Sequence, residues 1–172
     1  MATVGGGTGN AGKTAGQGPG VPTILMGAQY IRGVMFRTVE SPQLHLQPPV
    51  RPNTSMTIDV TARQIAENQP DFEIDIVMNC AGRADIPADG SEPLTLFEAQ
   101  ITYSGLFSLR NATTENLEML LLVEAPKMLF PAARNYLADI TREAGFLPVI
   151  LRHVDFYALW QSRNVQSTQA AE

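Results

Sequence analysis

The chain has 172 residues, 44% of them hydrophobic, with 17 Asp and Glu against 12 Lys and Arg and a formal charge of −5. That length suits one domain with an ordinary core, and the acidic balance argues against a nucleic-acid binder, which needs a basic face. One cysteine, Cys80, excludes an internal disulfide, and no apolar run approaches the roughly 20 residues that span a bilayer.

Residues 1–22 are Gly-rich and read as a disordered tail, ahead of a domain at 23–165 and a frayed end at 166–172. Within the tail, Gly7–Thr14 spells GTGNAGKT, a literal match to the phosphate loop G-x-x-x-x-G-K-[ST]. In a working loop a buried strand leads into the glycines and a helix starts at the Lys. Here only MATVGG precedes the match, and AGQGPGVP, rich in the two poorest helix formers, follows it. The match is therefore read as a product of low complexity, and no nucleotide site is expected. The tail holds one Lys and no acid, which leaves 11 Lys and Arg against 17 acids in residues 23–172. No charged start followed by an apolar run is seen, so the expected location is the cytoplasm.

Residues 24–39 are β-rich by composition. A loop at 40–54 follows, whose four prolines rule out helix or central strand. Its length and its apolar Leu44, Leu46 and Val50 point to a functional segment. The period then turns to two. Met56, Ile58 and Val60 alternate with polar residues, as do Phe72, Ile74, Ile76, Met78 and Cys80, with AENQP (66–70) as the turn. After a polar connection at 81–93, Phe97, Ala99, Ile101 and Tyr103 share one face of a strand at 94–109. Four strands without an intervening helix predict an antiparallel sheet.

The remainder reads as helical. Thr114 is the predicted cap of a short helix over Glu115–Val123, which Pro126 is expected to stop. A second helix starts at Pro131 and ends at Gly145. Residues 146–154 form an extended link, and Asp155 precedes or caps a last helix at 156–164. The predicted fold class is α+β, with helices packed on one face of a four-stranded antiparallel sheet.

Catalytic chemistry is not legible. Cys80 falls on the apolar face of its strand and reads as a core residue. His45 and His153 lie in separate loops, without the cluster a metal needs. Glu73 and Asp75 share a polar strand face, read as solvated. No motif of an enzyme is present, and no cofactor or metal is expected. The apolar residues that stand out are Phe97, Ile101, Tyr103, Phe156, Tyr157 and Trp160, with Leu44, Leu46 and Val50 from the loop. They fit either a core or an open groove for apolar polypeptide.

The C-terminal half resembles the SecB family of protein-export chaperones. The run at 128–160 carries Leu129, Phe130, Pro131, Ala133 and Arg134, then Gly145 and Phe146, then Asp155, Phe156, Leu159 and Trp160. QYIRGVMF (29–36) is similar to the family's first strand and ITYSGLFSL (101–109) to its fourth, so the likeness spans about 28–162. The resemblance implies the sheet read above, two main helices, and a homotetramer built as a dimer of dimers that works without ATP. It also implies a cytosolic holdase that keeps precursor polypeptides unfolded for export and delivers them to the SecA motor.

By position, the resemblance assigns client contacts to Leu46, Val50, Ala99, Ile101, Tyr103, Phe156 and Trp160. SecA docking in the family uses acids on strands one and four. The matching positions here are Gly33, Arg37 and Gln100, none acidic, with Glu98 nearby. Client holding is thus better supported than SecA handover. The alternative is a SecB-like chaperone for another recipient, such as an antitoxin or a narrow client set. The phosphate loop at 7–14 supplies a third reading, nucleotide hydrolysis, which lacks both of its flanks.

Overall fold

The computed structural model describes residues 20–39, 41–46 and 51–169, with side chains through 164. Gly7–Thr14 and Val50 lie outside the described residues. Four strands form one sheet: β1 (Thr23–Thr38), β2 (Asn53–Gln64), β3 (Asp71–Arg83) and β4 (Thr95–Arg110). All pairings are antiparallel, in the spatial order β1-β4-β3-β2. The chain therefore crosses from one edge of the sheet to the other between β1 and β2. Strands β1 and β2 are the free edges, and β4 and β3 are central.

Period-two alternation places Phe72, Ile74, Ile76, Met78 and Cys80 of β3 on the same face as Phe97, Ala99, Ile101 and Phe107 of β4. This face carries the helices and the core. At one end of the core Phe97 is stacked on Phe36, with centroids 5.2 Å apart, and tilted against Phe146 at 5.0 Å. At another, Phe130 meets Phe156 edge-on at 5.5 Å.

The helices depart from the sequence reading. A single helical run holds α1 (Thr114–Met119), a π-helical turn (Leu120–Glu124) and α2 (Ala125–Glu143). Pro126 does not stop it, and Pro131 does not start a separate helix. The π turn explains Pro126: Ala125 N–H reaches back five residues to Leu120 O, so the four-residue ladder is already open where proline supplies no donor. Pro131 stands inside α2 with its ring exposed. The cap also moves by one residue. Thr113 is the N-cap, and its N–H donates to Asn116 Oδ1 at 2.8 Å.

Gly145 does end α2, with φ of +88°. Its N–H donates to Arg142 O, and Phe146 N–H to Thr141 O, the paired bonds of a Schellman stop. Thr141 Oγ1 donates to Leu137 O at 2.9 Å and accepts Val149 N–H at 3.0 Å, which pins the extended link to α2. The link leads to α3 (Phe156–Gln169), longer than the helix read from sequence. Two helical bodies, rather than three, cover the sheet.

Candidate functional site

The β2 edge carries the most distinctive surface. Ile65 N–H donates to Asp71 O at 3.0 Å and closes the β2–β3 hairpin. The odd-numbered residues of β2 thus bond inward to β3, and Met56, Ile58, Val60 and Ala62 turn their backbone groups outward. The same residues aim their side chains at the helix layer, so apolar side chains and outward-facing backbone groups share one border of the sheet.

Two hollows flank that border. One, of about 470 Å³, is lined by Met56, Ile58, Val154, Ala158 and Leu159, with His153 and Asp155 at its rim. The other, of about 510 Å³, lies between Val60–Ala62 and the Leu117, Leu121 and Leu122 side of the long helical run. Helix α3 crosses between them. Trp160 Nε1 donates to Glu118 Oε1 at 3.0 Å, and Arg163 Nη1 donates to Val60 O at 2.7 Å.

The residues assigned to client contact by resemblance divide into groups. Leu46 is exposed, at the end of a 3-10 turn over Gln43–Leu46. Tyr103 and Trp160 are half-buried. Ala99, Ile101 and Phe156 are buried in the core. β4 is a central strand and Phe156 meets Phe130 edge-on, so within the single chain these three side chains face the core. The β2 edge was missed from sequence. Its alternation was visible, but an edge is defined by strand order, which local periodicity does not encode.

The opposite, outer face of the sheet carries the positions assigned to SecA docking. Gly33 pairs with Thr102, Gln100 with Met35, and Arg37 with Glu98. Arg37 Nη2 contacts Glu98 Oε2 at 2.5 Å, so the carboxylate nearest these positions is paired with an arginine of the same set.

Glu73 and Asp75, read as solvated, are in fact buried on this face. Arg32 bonds both carboxylates, Tyr30 and Arg63 bond Glu73, and Ser104 Oγ donates to Asp75 at 2.6 Å. Two features permit this. Arg32 is the extra residue of a β1 bulge, between Ile31 and Gly33. Ser104, the intervening β4 residue, is small enough for β1 side chains to reach across it to β3.

Burial pushes the Cys80 thiol up to about 11, which suits an inert core residue rather than a nucleophile. Among the described residues no group of three or more His, Cys, Asp or Glu could hold a metal ion. No described helix is long and apolar enough to cross a membrane.

A family model described as preprotein translocase subunit SecB matches residues 18–167. The protein-export protein SecB of Granulibacter bethesdensis is 37% identical over 159 residues, covering 91% of this chain and 92% of that one. That of Acidiphilium cryptum is 32% identical over 152 residues, covering 85% and 92%. Among solved structures, a Mycobacterium tuberculosis SecB-like chaperone in complex with a ChAD peptide from the HigA1 antitoxin superposes with a TM-score of 0.60 at 12% identity. The match covers 77% of this chain and 91% of that one, and the likeness is one of fold.

Proposed function

The chain belongs to the SecB family of protein-export chaperones, which are not enzymes, and from that premise we propose that it holds extended client polypeptide by strand addition to the β2 edge. The observation that carries this reading is the coincidence of outward-facing backbone groups with two apolar hollows along one border. Main-chain bonds give affinity without reading side chains, and hollows for alternate residues favour apolar segments. Folded proteins present few such segments, so the same geometry selects unfolded precursors. The other free edge, β1, exposes Ile31, Val34 and Met35, which fits pairing with a second copy in the expected cytosolic dimer of dimers. Several such grooves on one assembly gain avidity for a long chain.

Ala158 is exposed, lines the first hollow and lies on α3, so Ala158→Arg can fill the hollow without disturbing the core. A fluorescent peptide of alternating valine and threonine is expected to bind this variant about tenfold more weakly than wild type, since the arginine either blocks the apolar residues or is itself desolvated. Unchanged affinity by anisotropy, with an unchanged melting curve, would remove the hollow from the site.

Delivery to SecA is the finer part of the reading, and the outer face bears on it. A basic docking segment meets Glu98 already paired with Arg37, and Glu73 and Asp75 beneath arginines. This favours a recipient other than SecA, or weak SecA docking. Arg37→Ser frees Glu98 and removes a like charge. Calorimetry is expected to show SecA binding strengthened about fivefold at low salt and less at high salt. No gain would argue that SecA does not use this face.

A further inference from the structure

We propose that Arg163 and Asp59 form a plug that splits the β2 edge into two half-sites and makes α3 a gate on strand addition. The proposal rests on the strand-addition reading above and supplies its control. Val60 sits midway along the outward-facing residues. Its C=O accepts from Arg163 Nη1 at 2.7 Å, its N–H donates to Asp59 Oδ1 at 2.9 Å, and Arg163 pairs with Asp59 directly. Both groups that a fifth strand would use at this position are therefore occupied from within the chain.

The plug separates the hollow beside Met56 and Ile58 from the hollow beside Ala62. A short apolar segment can occupy one of them with the plug in place. A segment long enough to pair along the whole edge must displace the guanidinium, which releases the tie that holds the α3 turn carrying Arg163 to β2. Such a segment gains contacts in both hollows, so the gate opens for long extended clients and stays shut for short ones.

Two physical points favour a gate over a fixed strut. An unpaired edge invites pairing with any other chain, and a charged group placed on it suppresses that. The cover is also easy to lift. The Arg163 side chain is 39% exposed and that of Asp59 56%, so both charges return to water when the pair opens. A buried pair would leave uncompensated charge behind.

The test uses the full-length protein and two peptides of alternating valine and threonine, one plain and one N-methylated at every valine amide. The methylated peptide keeps its side chains but cannot add antiparallel to β2 with its valines in the hollows, because those are the residues that would donate. Arg163→Ala is expected to bind the plain peptide about five- to tenfold more tightly than wild type, the equivalent of one ordinary hydrogen bond no longer competing, because the half-exposed guanidinium recovers part of its interaction from water. Its affinity for the methylated peptide should stay the same. Asp59→Asn, which leaves α3 unaltered, should tighten binding in the same direction by a smaller factor. If wild type binds both peptides equally, the strand-addition reading falls and the plug falls with it. If wild type discriminates but neither variant tightens, the plug alone is overturned.

Discussion

Replacing Arg32 by alanine should cost about 3 kcal/mol and lower the melting temperature by roughly 6–12 °C, at fixed protein concentration. Arg32 is the one guanidinium that reaches both Glu73 and Asp75. Without it Glu73 keeps Tyr30 and Arg63, while Asp75 keeps the Ser104 hydroxyl as its one side-chain partner among the described residues. Removing one partner of a buried pair leaves a desolvated charge, and that penalty exceeds what the pair contributes when intact. The low end of the usual range applies because the Arg32 side chain is 40% exposed and water can replace part of its interaction. The loss should also have a specific partner. In an Asp75→Asn background the Arg32→Ala change should cost about 1 kcal/mol less, a coupling that a double-mutant cycle measures directly. A stability within about 0.5 kcal/mol of wild type would mean that the network behaves as an ordinary surface pair.

This network marks where reading a sequence succeeds and where it stops. Glu73 and Asp75 alternate with Phe72, Ile74 and Ile76, and that alternation alone identified the strand and both of its faces. What it left open was the neighbourhood of the polar face. Burial there depends on Arg32 arriving from β1 through a bulge and passing over Ser104, and both conditions follow from β1 pairing with β4. No window of β3 contains that information. The same limit hid the β2 edge. Met56, Ile58 and Val60 announce a half-buried strand, but only the order β1-β4-β3-β2 makes it an edge.

Helix boundaries failed for a different reason. Proline rules are statements about a four-residue hydrogen-bond ladder, and the five-residue bond from Ala125 to Leu120 suspends them at Pro126. The likeness to SecB proteins carried the fold further than local rules did, since it implied two main helices where periodicity alone divided them into three. Of the residues it assigned to a groove, Ile101 and Phe156 are buried within the single chain, while Leu46 is exposed.

The largest loss from a single methyl group is expected at Gly82. A Cβ built there would sit 2.2 Å from Phe97 Cε1 and 2.7 Å from Cδ1 and Cζ, far inside contact distance. Gly82 and Phe97 are opposed across β3 and β4, and the ring lies over the glycine. Phe97 has no room to yield. It is fully buried, with Phe36 stacked on it and Phe146 against it. Gly82→Ala must therefore push apart the two central strands or drive Phe146 outward. The expected destabilisation is about 3 kcal/mol, the upper end of ordinary overpacking, or roughly 6–12 °C in melting temperature.

Gly33→Ala is the matched control. Nothing lies within 4 Å of its Cβ, and its backbone is not left-handed, so the change should be neutral or slightly stabilising. The cause at Gly82 can be isolated by shrinking the ring. Gly82→Ala with Phe97→Leu should be more stable than the sum of the two single changes by about 1 kcal/mol or more. If the losses simply add, the methyl group acts through the backbone and not through Phe97. The displacement has a route to the surface as well. Phe146 begins the link that continues to Val154, a wall of the first hollow, and it packs against His45 of the crossover segment at 5.6 Å. A ring forced outward at Phe97 should therefore weaken peptide binding together with stability, and the Phe97→Leu partner should make both losses smaller than the sum of the single changes.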